Sequence, residues 1–534
     1  MTRVRRVAGL FYPLLFAAAL ALGIAARSAG QFRAADFAVV LAAVLAAAAL
    51  AVVVAVAAVR AVDRSDRAEP LAAALAMVAV AWFFYYAPAQ LALEGVTWRF
   101  SRDRVLVPLG LLATAALLAW LVRQRHERLV TVNAFMARFG LLLVAVIAVN
   151  ALVARSGEPR AAARSALARE LARPVRTVGA PPPGRNTPPR DIYLIVTDGH
   201  ASSRVLREVL GFDNTAFEDS LRALGFVVPA RVRSNYTQTV TSLTSLLNAA
   251  HVTGIAKDVG ETTTDFTLPK HLVANNRVAR FLKARGYRYV LFPSAWWNVT
   301  EHSPLADVEF DARPEFRLAD EVRRTELRLA VLRSTLLRNA FRRARGDADF
   351  YRRTFAGLRE VPADTTPTFT FAHVLLPHIP YVFDERCRPL ASPIPSTAED
   401  DSPAQRAAYL RQLRCVDSMV LDLVTTLLRR SATPPIILVV GDHGSRFTDV
   451  HYYERPDRVS PAFVRERFGV LGAFYLPAGG AAAFEEPVSL VNVMGNVLRY
   501  YFNAALPRSS DEMYVSGERP YRFYRVDASQ YSGR

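Results

Sequence analysis

Five apolar stretches before residue 155 constrain this chain more than anything else in it. They cover about 7–26, 36–59, 71–93, 105–122 and 139–154. Most approach the roughly 20 residues that a helix needs to cross a hydrocarbon core. The last is the shortest and carries Asn150. The first follows Arg3, Arg5 and Arg6 and is built like a secretory signal, but four further spans favour a retained anchor. Basic residues in the short loops set the orientation. Arg60, Arg64 and Arg67 lie between the second and third stretches, and Arg123, Arg125, Arg128 and Arg138 between the fourth and fifth. The two remaining loops hold five basic residues together, Arg27 and Arg33 in one and Arg99, Arg102 and Arg104 in the other, so the contrast is modest. This pattern predicts a cytoplasmic amino terminus, and five crossings then deliver everything after residue 155 to the outer face. The expectation is a multi-pass bacterial inner-membrane protein with a periplasmic or extracellular domain.

The formal net charge of +18 raises the question of nucleic acid. The basic residues are spread over loops, linker and soluble part, without an aromatic-interleaved patch or a reading helix. A membrane protein facing anionic lipid accounts for the charge better, so no nucleic-acid partner is expected. The spans are nearly free of the ionisable residues that mark transport paths.

Four segments follow from composition: a transmembrane domain over 1–155, a Pro/Arg-rich linker over 156–190, a catalytic domain over 191–505 and a C-terminal extension over 506–534. The first half of the linker reads as a short basic helix lying on the bilayer, and Pro181 to Pro183 with Pro188 and Pro189 stiffen the second. Residues 321–345 read as an arginine-rich helix, either a solvated face or an amphipathic lip on lipid headgroups. Cys387 and Cys415 sit in no metal-binding spacing. Outside the cytoplasm they either pair or remain two buried thiols.

From Asp191 onward, buried-looking strands at 191–197, 288–293, 368–375 and 436–441 alternate with helical patterns at 215–224, 276–285, 404–430 and 487–502. This alternation predicts an α/β domain with a mostly parallel sheet between helices. Two of the strands stop on chemistry. One ends at Asp198-Gly199, the other at Asp442-His443-Gly444. Open α/β sheets hold their ligands beyond the carboxyl ends of the strands, and two carboxylates with an imidazole suit a hard or borderline cation. Between them lies the hydroxyl-rich segment Ser234 to Asn248. Such a segment opening a helix serves as a cap, or places a nucleophile where amides and the helix dipole favour an anion.

In this order Asp198, the Thr239 segment and Asp442-His443-Gly444 resemble the alkaline-phosphatase/sulfatase superfamily. The layout is similar to its membrane-anchored transferases, the lipid A phosphoethanolamine transferases and lipoteichoic acid synthases. The resemblance covers about residues 190–455. It implies an N-terminal helical bundle followed by an alkaline-phosphatase-like domain, with Asp198, Asp442, His443 and Thr239 as metal ligands. It also implies Thr239 as the attacking hydroxyl, with Thr237 and Thr241 as rivals. Asp198 stands where those transferases usually have Glu. His373 and His378 resemble paired histidines that contact substrate or a second metal, His378 also as acid/base, although His373 reads equally well as a satisfied core histidine. His451 matches a later histidine at a shorter spacing. Thr239-Val240-Thr241-Ser242 lacks the Cys or Ser followed by Pro and Arg of formylglycine sulfatases, and threonine cannot become formylglycine.

What the resemblance implies is a metal-dependent phosphotransferase, with Zn²⁺ the first choice and Mn²⁺ the alternative. Its donor would be a phospholipid and its acceptor an envelope glycan or lipid. Two alternatives stay open: a phosphatase, phosphodiesterase or sulfatase-like hydrolase on the same site, and a membrane scaffold that keeps the fold without catalysis.

Overall fold

Long alanine- and leucine-rich runs with almost no charge make helices, because each backbone polar group is then satisfied within its own segment. A computed structural model describes residues 10–27, 34–94, 103–294, 300, 302–310, 312, 331–332, 334–335, 344–361, 366–394, 401–527 and 531. The membrane unit carries α1 (Tyr12–Arg27), α2 (Ala34–Val62), α3 (Ala68–Glu94), α4 (Asp103–Arg123) and α5 (His126–Arg164). Among the described residues four spans are long and apolar enough to cross a membrane: Phe37–Val62, Ala68–Tyr86, Val105–Arg123 and His126–Leu152; Tyr12–Ala25 is apolar but shorter. The stretch expected at 139–154 is thus the end of a longer helix. Arg128 and Arg138, expected in a loop, lie inside α5. Small residues such as Ala17, Ala21 and Ala48 let the helices approach, and the Tyr12 and Tyr85 hydroxyls donate to the carbonyls of Ala73 and Phe16.

The catalytic unit is built on a six-stranded sheet. Its strands are β1 (Ile192–Thr197), β2 (Arg288–Phe292), β3 (Val308–Glu309), β4 (Thr368–Val374), β5 (Ile436–Gly441) and β6 (Gly472–Tyr475), in the spatial order β3-β2-β4-β1-β5-β6. All neighbours pair parallel except β5 with β6, an antiparallel edge pair that the sequence pattern did not reveal. Every residue of β1, β4 and β5 is buried. Alternation along β1 feeds two cores: Ile192, Leu194 and Val196 face one, Tyr193 and Ile195 the other.

On the first face lie α6 (Thr239–Asn248) and α9 (Leu490–Phe502), contributing Leu243, Leu246, Leu247, Val493, Val497 and Leu498. On the second lie the helix Ala344–Glu360 and α7 (Pro403–Arg430), with Val416, Val420, Leu423 and Leu427 at helical spacing. Ser402 caps α7 by accepting from the Gln405 amide, Pro403 occupies its first turn, and Arg429 and Arg430 end it. Cys387 and Cys415 are joined in a disulfide that ties the strand pair Tyr381–Phe383 and Pro389–Ile394 to α7.

Within the stretch 156–190, Ala166–Ala172 is helical and buries Leu167, Ala168 and Leu171 against Tyr236, Val252, Ile255 and Leu272 of the catalytic unit. That is packing on protein, in place of the expected bilayer face. Further along, Val178 donates to the Asn503 carbonyl and Ala505 to that of Arg176, so the proline-rich part runs as a strap along the end of α9. Most of 321–345, including every arginine but Arg345, lies outside the described residues; Val331 packs among the apolar side chains of the membrane unit.

Candidate active site

Parallel register alone sets two acids side by side. Thr197 pairs with Gly441, so Asp198 and Asp442 leave β1 and β5 next to one another at the carboxyl edge of the sheet. The turn after Asp198 needs a left-handed residue, and Gly199 supplies it with φ +73°. Its amide then donates to Asp442 Oδ1 at 3.0 Å. Gly444 answers to a close approach: a Cβ there would collide with the Glu466 carbonyl.

The third component comes from α6. Thr239 is its first residue, and no side chain caps its amino end at Gln238. Thr239 Oγ1 lies 3.0 Å from His443 Nε2 and 3.4 Å from Asp198 Oδ2. The hydroxyls of Ser234 and Ser242 both donate to the Asp442 carbonyl at 2.7 Å, which fixes this helix start against the end of β5. The rival threonines are engaged elsewhere. Thr241 donates to the Gln238 carbonyl, and Thr237 exchanges hydrogen bonds with the backbone of Ser516.

Asp198, Asp442 and His443 are fully buried, and one ligand atom from each lies within 4.8 Å of the others. Asp198 Oδ1 and Asp442 Oδ2 are buried without a hydrogen-bond partner. Two bare carboxylates at such a separation repel by about 3–4 kcal/mol at an effective dielectric of ~20. Burial and the Asp198 charge together push the Asp442 carboxyl well above its ordinary range. Burial also opposes ionisation of Asp198, but His378, His373 and His443 outweigh it and hold that carboxyl below its usual range. A cation between the acids resolves the conflict, so the residues fit a divalent metal.

The imidazoles are arranged to suit. His443 Nδ1 lies 3.1 Å from the Gly444 carbonyl and must donate to it, which turns the Nε2 lone pair toward Thr239 and the acids. Burial and the charge of Arg467 keep this ring neutral, the form that binds a metal. His373 sits between Asp198 Oδ2 (3.2 Å) and the Thr300 hydroxyl (3.3 Å), so it orients the carboxylate from behind. His378 donates Nδ1–H to the Ile379 carbonyl at 2.7 Å, and its ring centre is 6.2 Å from that of His443. Burial, reinforced by Arg446, overrides the pull of Asp198 and lowers its pKa. His451 is exposed on a turn and is not among the groups that converge here.

Sequence reading missed the supports. Arg467 is buried on α8 (Pro461–Phe468) and donates to the carbonyls of Thr237 and Gly444, clamping the loops that carry Thr239 and His443. Its neighbour Glu466 accepts from Ser445, Phe447 and Thr448 and shapes the loop after Gly444. His200 pairs with Asp417 of α7 at 2.8 Å, bracing the turn beyond Asp198. A histidine two residues past a strand-end acid was a usable signal for His200. Arg467, on an ordinary-looking helix, gave none. Beside the cluster opens a small cleft lined by His378, His443, Tyr381, Arg446, Phe447 and Arg467, among others.

The model of the sulfatase family matches residues 213–465, a stretch that holds Thr239, Asp442 and His443. No curated protein sequence matches the chain. Among solved structures, it is similar to the C-terminal periplasmic domain of EptC from Escherichia coli, at 12% identity and a TM-score of 0.42, covering 67% of this chain and 96% of that one. The lipooligosaccharide phosphoethanolamine transferase EptA from Neisseria meningitidis aligns at 14% identity and a TM-score of 0.41, covering 85% of each chain. The lipoteichoic acid synthase LtaP from Listeria monocytogenes aligns at 12% identity and a TM-score of 0.37, over 62% of this chain and 78% of that one. After helices long and apolar enough to cross a membrane, then, the chain carries a domain that the sulfatase family model matches over residues 213–465, and it is a sulfatase-like enzyme.

Proposed function

We propose that this enzyme is a metal-dependent phosphotransferase that moves a phospho-group from a membrane phospholipid to an envelope glycan or lipid, with Thr239 as nucleophile. One observation carries the reading. The Thr239 hydroxyl stands 3.0 Å from His443 Nε2 and 3.4 Å from Asp198, at the uncapped amino end of α6 and beside two orphaned carboxylate oxygens. Amides at such a terminus favour an anion, which is what a phosphoryl group brings.

Asp198, Asp442 and His443, with Thr239, would hold the metal, and their oxygen and imidazole donors suit Zn²⁺ first and Mn²⁺ second. Such a cation supplies acidity to a nearby hydroxyl and neutralises phosphoryl charge. In the first step Thr239 Oγ1 bonds to the phosphorus of the donor diester, the bond to diacylglycerol breaks, and the hydroxyl proton ends on that alcohol. In the second an acceptor hydroxyl attacks phospho-threonine and releases Thr239. His378, held neutral, takes the acceptor's proton and passes it to the departing Thr239 Oγ1. The disulfide between Cys387 and Cys415 supports an oxidising compartment outside the cytoplasm.

The test is to incubate the metal-loaded full chain with headgroup-labelled phospholipid and look for the added mass on Thr239. A labelled Thr239 supports the reading, and turnover without any adduct contradicts it. Product analysis with and without a glycan acceptor separates transfer from hydrolysis by water.

A further inference from the structure

We infer that residues 511–518 are the positioning element of the nucleophile, with Thr237 as the positioning residue through which they act. They hold the four residues before Thr239 from outside, so that the start of α6 is fixed while its first amides stay open. This rests on the reading of Thr239 above and deepens it.

The contacts run in step along the two stretches. The Asn235 carbonyl accepts from the Tyr514 amide at 2.9 Å, and the Asn235 side chain donates to the Glu512 carbonyl at 2.8 Å. The Tyr236 ring stacks on that of Tyr514 with centroids 5.6 Å apart. The Thr237 hydroxyl, fully buried, accepts from the Ser516 amide at 3.1 Å and donates to the Ser516 carbonyl at 3.2 Å. The Gln238 side chain donates to the Gly517 carbonyl at 2.9 Å. The outer stretch is itself backed. The Glu518 amide donates to the Tyr453 carbonyl at 3.0 Å, and a Cβ at Gly517 would collide with that same oxygen. Residues 511–518 lie beyond the stretch 213–465 that the family model matches, so the support comes from a part of the chain to which the sequence pattern gave no role.

A helix start is ordinarily fixed by a side chain at its N-cap that takes up one of the first amides. That solution would fill the place where a phosphoryl anion has to sit. Here the N-cap residue is Gln238, and its side chain reaches Gly517 in place of the amides of its own helix. The residue before it is pinned from two sides, the Thr237 carbonyl by Arg467 and the Thr237 hydroxyl by Ser516. Two residues on, Thr239 Oγ1 stands 3.0 Å from His443 Nε2. A slip of about 1 Å at a reacting atom costs on the order of a hundredfold in rate.

The experiment places the metal-loaded full chain in phosphatidylcholine vesicles doped with headgroup-labelled phosphatidylethanolamine and phosphatidylglycerol, and follows label appearing on Thr239 over a range of lipid fractions. Thr237→Val keeps the side-chain shape and removes the hydroxyl. It is expected to lower the limiting rate of labelling by about ten- to a hundredfold, with the half-saturating lipid fraction unchanged within about threefold. Thr237→Ser retains the hydroxyl and should label within about threefold of wild type. A purely structural role would lower the thermal midpoint of Thr237→Val without lowering the limiting rate of the protein that remains folded. Should Thr237→Val fail to fold, Gln238→Met at a half-buried position carries the test, with an expected loss of about three- to tenfold in the limiting rate. Labelling of Thr237→Val or Gln238→Met at the wild-type rate overturns the inference, as does a Thr237→Ser variant as slow as Thr237→Val; either result leaves Thr239 as nucleophile. If wild type leaves Thr239 unlabelled, the nucleophile reading itself falls and takes this inference with it.

Discussion

The membrane unit and the catalytic unit solve opposite problems with the same chain. In the first, large apolar side chains point outward: Leu112 is 68% exposed, and only 6% of the apolar window of Val105–Arg123 is buried within the protein. In the second, the deepest positions at the carboxyl edge of the sheet are acids, a histidine and hydroxyls, with Asp198 and Asp442 at 0% exposure. Each arrangement is costly in water, and each names what is needed to complete it. Lipid covers an apolar exterior, and a cation completes an acidic interior.

The comparison can be broken most severely at Thr239. Thr239→Ala should lower lipid turnover by about a thousandfold or more and abolish the adduct, since among the described residues no other hydroxyl bonds to both Asp198 and His443. Turnover within tenfold of wild type would mean that the polar interior serves another end. Next comes the support. Arg467→Met removes bonds to two buried carbonyls and should destabilise the catalytic unit by about 4 kcal/mol, read as a lower thermal midpoint. A midpoint unchanged from wild type would show that the clamp is dispensable. Replacing Cys387 and Cys415 with serine opens the disulfide across a separation of 28 residues and should cost about 2–4 kcal/mol by the same measurement. The smallest effect belongs to the other region. Leu112→Ala on the exterior of α4 should change stability in bilayers by less than about 0.5 kcal/mol, because lipid fills the space where protein does not. A loss of several kcal/mol there would mean that Leu112 faces protein.

The strands that carry the site were legible because parallel strands buried on both faces are written as unbroken apolar runs. The patterns at 191–197, 368–375 and 436–441 appear as β1, β4 and β5 to within a residue. The acids at their ends were legible for the same reason, since a charge that stops an apolar run stands out. The short edge strand β6 was not, because four residues beside a helix carry no period of their own. Arg467 and Glu466 escaped because their partners are backbone groups of loops far away in sequence, which no local pattern encodes. The role of 506–534 was hidden likewise: Ser516 and Gly517 hold Thr237 and Gln238 through backbone groups. The arginine-rich stretch at 321–345 falls largely outside the described residues.

Anomalous diffraction from the metal-loaded catalytic unit tests the central claim most directly. The account predicts one anomalous peak about 2.0–2.2 Å from carboxylate oxygens of Asp198 and Asp442 and from His443 Nε2, with Thr239 Oγ1 beside it. A loaded protein whose peak lies elsewhere, or whose Asp198 and Asp442 remain without a cation between them, would contradict it.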